Sequence, residues 1–162
     1  MDMGTLLVGA ISVALFALPF ILTIRGRKRK QKSLLQALAI LADRYNTKVD
    51  RKEFCGNYAI GMDPDRRFVF FHKVTKEGSQ QQIVALTVTE QCKAINIGRK
   101  VGEDRIVESL GLQFIPKDRS QPEPFLEFYN YQQSYQLSGE LQSMEGWART
   151  INGSIGALKG EH

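Results

Sequence analysis

The pattern of apolar and polar positions divides the chain into three zones. From Thr5 to Ile24 the sequence TLLVGAISVALFALPFILTI runs 20 residues without a charge, and twelve of them are Leu, Ile, Val or Phe. At about 1.5 Å per residue such a helix crosses a ~30 Å hydrocarbon layer, and its apolar side chains outweigh the insertion costs of Gly9, Ser12 and Pro19. A cleaved signal peptide is a poorer reading: residues 1–4 hold only Asp2, and the apolar run continues through Pro19-Phe20-Ile21 to the charges.

The second zone is basic and then amphipathic. Arg25, Arg27, Lys28, Arg29, Lys30 and Lys32 follow the apolar run directly. Cations beside a span stay on the cytoplasmic side, so they are expected to place the N-terminus outside and the rest of the chain in the cytoplasm, and to contact the membrane surface. In KSLLQALAILADRYN the residues Leu34, Leu38, Leu41 and Tyr45 recur at helical spacing, which predicts an amphipathic helix to about Asn46, continuous with the span unless Gly26 weakens it.

Beyond Asn46 the period changes to that of strands. NYAIGMD and RRFVFFHKV flank an Asp63-Pro64-Asp65-Arg66 turn. KEGSQQ reads as a turn before IVALTV, and TEQ as a break before CKAINIGRKV. SLGLQFIP, the exposed loop Lys117 to Pro124 and FLEFYNY follow. Six strands are clear, and TKVDRKEF is a candidate seventh without clean alternation. LSGELQSMEGWARTINGSIGAL closes the chain as a helix, with Ser138 as the expected N-cap and Leu141, Met144, Trp147, Ala148, Ile151, Ile155 and Leu158 on one face.

Charge and composition then narrow the chemistry. The chain has 162 residues and a formal charge of +5, but six of its 22 Lys and Arg precede Ser33. What remains is 16 basic residues (22 less 6) against 16 acidic (17 less 1), so the domain offers no nucleic-acid face. Cys55 and Cys92 are expected to be reduced in a cytoplasmic domain. With only His72 and His162 beside them there is no metal spacing, no catalytic Cys–His pair and no cofactor motif; His72 reads as a strand position. Glu103-Asp104 and the pair Asp63 and Asp65 read as solvated turn acids rather than catalytic carboxylates. Tyr129, Tyr131 and Tyr135 cluster in FYNYQQSYQ and are the candidate protein-partner contacts.

A twisted sheet that curls into a partial barrel leaves an open end, which a terminal helix can cover with Trp147 as plug and Ile151 one turn on. In GELQSMEGWARTIN, preceded by LGLQFIP and FLEFYN, the chain resembles pleckstrin-homology-type domains; IGMDPDRRFVFFHK and IVALTVTEQCKAINI resemble the early strands of bacterial members. The resemblance spans about Thr47 to Leu158. It implies an α+β fold, an antiparallel half-barrel of six to seven strands capped by the C-terminal helix, after the membrane helix. It also implies a ligand site at the first hairpin, where lipid-binding members are basic and this chain has Asp63 and Asp65 beside Arg66 and Arg67.

The expected organisation is therefore an extracytoplasmic segment (1–4), a single membrane pass (5–24), a basic and amphipathic segment (25–46) and a cytoplasmic domain (47–162). The expected function is a non-catalytic binding or adaptor module in a membrane-associated assembly. The alternative is a membrane-tethered sensor of anionic lipid headgroups.

Overall fold

The computed structural model describes residues 2–134 and 136–161. The chain forms two compact units, Met1–Ser33 and Leu34–His162. Helix α1, Met3–Asp43, runs through the boundary between them without a break at Pro19 or Gly26. In the first unit the most apolar stretch of α1 buries none of its residues, and it is long and apolar enough to cross a membrane. Its hydroxyls are satisfied within the helix: Ser12 donates to the Val8 carbonyl at 2.9 Å and Thr23 to the Pro19 carbonyl at 2.7 Å. Such local bonds leave no side-chain donor seeking water.

The second unit is α+β. Strands β1 (Arg51–Cys55), β2 (Tyr58–Met62), β3 (Phe68–Thr75) and β4 (Gly78–Ala85) form an antiparallel sheet in that order. A short 3₁₀ turn, Leu86–Val88, leads to β5 (Thr89–Val101), β6 (Asp104–Pro116) and β7 (Phe125–Asn130), a second antiparallel sheet. Helix α2, Glu140–Gly160, packs on β5, β6, β7 and the 3₁₀ turn.

Residue parity explains why the first sheet reads as nearly continuous apolar sequence. Tyr58, Ile60, Met62, Val69 and Phe71 point into the main core with Leu110, Leu112, Phe114, Leu126 and Phe128 from the second sheet and Met144, Trp147, Ile151 and Ile155 from α2. Ala59 and Phe70 point the other way, into a second core under Leu34, Leu38, Leu41 and Ala42 of α1. With both faces covered, β2 and β3 lose the alternation of a half-solvated strand. The last turns of α1 thus belong to the domain, which begins at Leu34 rather than after Asn46.

Several expectations change in detail. Of TKVDRKEF, Arg51–Cys55 does form a strand, paired to β2 from Arg51↔Met62 to Cys55↔Tyr58. KEGSQQ is mostly strand: the turn is only Lys76-Glu77, and pairing starts at Thr75↔Gly78. IVALTV leaves the strand conformation after Ala85, and TEQ is already part of β5. Ser138 is not the cap of α2. That position is Gly139, at φ 105°, a backbone region glycine enters without strain, and the Glu140 carboxylate folds back to accept the Ser138 N–H.

Two polar links join the sheets to each other and to α2. Lys73 on β3, only 1% exposed, meets the Glu127 carboxylate of β7 at 3.0 Å, and Asn130 holds the other carboxylate oxygen at 3.1 Å. Trp147 donates its indole N–H to Glu53 of β1 at 2.9 Å, with the Arg51 guanidinium 5.6 Å from the ring centre. Between them Tyr58, Phe71 and Phe128 stack across the core with centroids 4.5 to 5.6 Å apart.

Candidate functional site

The main concavity of the domain is a groove of about 540 Å³ where the 3₁₀ turn meets the loop after β6. Ile83, Val84 and Ala85 of β4, Val88 and Phe114 supply an apolar floor; Pro116, Pro122 and Pro124 form the opposite wall, with Lys117, Asp118 and Gln121 at the rim. The loop is the exposed Lys117-to-Pro124 excursion of the sequence. Its position is fixed from both ends: the Lys117 N–H donates to the Val88 carbonyl at 2.9 Å, its ammonium to the Thr87 carbonyl at 2.9 Å, and the Phe114 N–H to the Pro124 carbonyl at 2.9 Å. At the tip Asp118 accepts the Ser120 hydroxyl and N–H at 2.7 and 3.0 Å. These bonds hold its carboxyl below the usual range. A loop bonded this way is a preformed wall, and Val88, 60% exposed, is the apolar side chain it leaves open.

The groove usual for peptide capture in pleckstrin-type folds, between β5 and the last helix, is closed at Cys92. The Asn152 side chain of α2 accepts the Cys92 N–H at 2.9 Å and donates to its carbonyl at 2.8 Å, as a neighbouring strand would. Lys159 adds an ion pair to Glu90 at 2.9 Å, and this partner holds the Glu90 carboxyl low. No periodicity marks Asn152, because its partner lies 60 residues away.

Trp147 and Ile151 lie in the main core as expected. Tyr129 does not form an exposed patch: it is buried, because a register shift between Leu110 and Gly111 turns both Phe128 and Tyr129 inward. Tyr131 is half-buried against the same core, and Tyr135 lies outside the described residues. The hairpin acids also differ from a simple acidic tip. Asp63 is buried, accepting the N–H groups of Arg67 and Phe68 at 2.8 Å each, so only Asp65 sits exposed beside Arg66 and Arg67.

Arg25, Arg27, Lys28, Arg29, Lys30 and Lys32 are all exposed on α1. At 100° per residue they point all round the helix, forming a collar rather than a single basic face. The thiols are free, Cys92 buried and Cys55 half-buried; burial pushes Cys92 up to about 12 and raises Cys55. Neither is a thiolate at neutral pH. His72 is buried with its Nδ1 unpartnered, and desolvation lowers its pKa, which keeps the ring neutral. Among the described residues no group of His, Cys, Asp and Glu is placed to hold a metal ion. Comparison with family models, curated proteins and solved structures gives no match to this chain.

Proposed function

We propose that this chain is a single-pass membrane protein whose PH-like cytoplasmic domain binds an apolar segment of a protein in the same membrane assembly. Two antiparallel sheets of four and three strands, closed by a helix with an inward Trp147, support the PH-like assignment. The fully exposed apolar stretch of α1 supports the anchor, since a stripe of that size facing water invites aggregation. The six-cation collar sets the topology and contacts anionic headgroups, each cation contributing about 1 kcal/mol. The observation that carries the binding role is the preformed groove, apolar at its floor and open at Val88. Tethering confines partner and groove to one surface and raises their effective concentration.

The test is purification of full-length protein from its native membranes in mild detergent, as wild type, Val88→Glu and Val101→Glu. Val101 is equally exposed, on the β5–β6 hairpin away from the groove. A stoichiometric partner should accompany wild type and Val101→Glu, and fall at least tenfold with Val88→Glu. A second reading, recognition of anionic headgroups, is favoured by the inward turn of Asp63, which leaves Arg66 and Arg67 exposed against the single acid Asp65. Recovery of wild type without any partner chain counts against the groove and for that reading.

A further inference from the structure

The four edge strands of the two sheets are guarded unequally. On β1 the exposed residues are Arg51, Lys52 and Glu53. The β5 edge is bulged near Thr89 and Ile97 and capped by Asn152. On β7 the register shifts and Glu127 is bound to Lys73. Charges, bulges and covers of these kinds keep edges from pairing with other chains. Edge β4 has none of them: Gly78-Ser79-Gln80-Gln81-Gln82-Ile83-Val84-Ala85 carries no charge and no proline, and its pairing with β3 is unbroken.

The backbone parity of that edge is fixed. Thr75 and Gly78 flank the two-residue turn as a hydrogen-bonded pair, and the same alternation reaches Arg67 and Leu86, where the Leu86 N–H donates to the Arg67 carbonyl at 2.7 Å. Gly78, Gln80, Gln82 and Val84 therefore bond β3, while Ser79, Gln81 and Ile83 turn N–H and C=O outward. The next outward carbonyl, of Ala85, accepts the Thr89 hydroxyl at 2.8 Å and ends the open run.

We propose that β4 pairs antiparallel with β4 of a second copy of this chain, with Gln81 on the two-fold axis. In that register Ser79 faces Ile83 and Gln81 faces Gln81, so every outward backbone group of the open run is bonded. Gln80 falls opposite Gln82 in both directions. A glutamine amide is donor and acceptor at once, so each glutamine meets a complementary one, and no charge is brought opposite its own copy. Pairing about any of the other edges sets charges or bulges against themselves. The apolar residues of the neighbouring groove are not covered by this register, because Ile83 meets a serine; the groove stays free for another chain.

The contact is small. A run from Ser79 to Ile83 is about 17 Å long, and stable complexes in solution bury roughly 800 Å² per partner. Pairing is thus a property of chains concentrated in one membrane, where two copies inserted the same way share a two-fold axis along the membrane normal. The inference rests on the anchored reading in that respect.

The experiment uses full-length Gln81→Cys, Gln80→Cys and wild type in native membranes treated with a mild thiol oxidant. Residues facing each other as a hydrogen-bonded pair lie ~5.5 Å apart at Cα, within disulfide range. Two copies of position 80 lie on the diagonal, at about 7–8 Å. Expected is a disulfide dimer from Gln81→Cys in severalfold higher yield than from Gln80→Cys, and none from wild type, whose Cys55 and Cys92 serve as the control. Equal yields from positions 80 and 81, or no dimer from Gln81→Cys in the membrane fraction, overturn the pairing and leave the anchor standing. Recovery of the protein in the soluble fraction overturns both.

Discussion

Replacing Trp147 with Ala should lower the stability of the domain by about 3–5 kcal/mol, near the upper end for a buried aromatic. The indole is 3% exposed in the main core, where it joins α2 to both sheets. Truncation leaves a cavity and strips Glu53 of the N–H that it accepts at 2.9 Å. Arg51 loses the ring face beneath it as well. Phe at this position should recover most of the packing but not the hydrogen bond, leaving a deficit of about 1 kcal/mol. Thermal unfolding of the full chain in detergent, followed by circular dichroism of the strands, reads both values. A loss below about 1 kcal/mol for the Ala variant would show that the helix does not close this core.

Glu127→Leu is expected to be nearly as damaging, for an electrostatic reason. Lys73 is 1% exposed and its ammonium has Glu127 as its ion-pair partner, so removing the carboxylate strands a cation in the core at a cost of about 3–5 kcal/mol. The pair sits where β3 faces β7, so the damage falls on the junction between the two sheets. Replacing both residues, as Lys73→Met with Glu127→Leu, should restore most of the stability, because a well-packed apolar pair avoids desolvating either charge. Denaturation midpoints of the two single variants and the double variant form a cycle. Additive losses in the double variant would contradict a direct coupling between the two side chains.

What could be seen in the sequence follows from how local the cause is. The stripe from Leu141 to Leu158 is set by one helix and one core, so periodicity finds it. The run of uncharged residues in α1 is legible for the same reason. Edge strands are harder: Ser79 to Gln82 look like a turn because their side chains are exposed on both faces, although their backbone is paired to β3. Arg51–Cys55 was obscured in the same way. The covering of the first sheet by Leu34, Leu38 and Leu41 is encoded as two unrelated patterns, an amphipathic helix and an apolar strand pair, and nothing local says that they meet.

The groove and its closed neighbour lay beyond sequence reasoning because both depend on distant bonds. Lys117 reaches the Thr87 carbonyl 30 residues away, and Asn152 reaches Cys92 across 60. Tyr129 was misplaced by one register shift: alternation along FLEFYN predicts opposite faces for Phe128 and Tyr129, and the bulge turns both inward. The signal for the loop from Lys117 to Pro124, two prolines among charges, did identify an exposed excursion, but its role as a wall of the groove emerges only from the fold.

The central claim is that α1 crosses a membrane and delivers the domain to the cytoplasmic side. Carbonate washing of membranes, followed by protease treatment of sealed vesicles of each orientation, tests it directly. The account predicts that the chain stays in the carbonate-washed pellet and that protease removes the domain only where the cytoplasmic face is outward. Release by carbonate, or digestion of the domain from the opposite face, would contradict it.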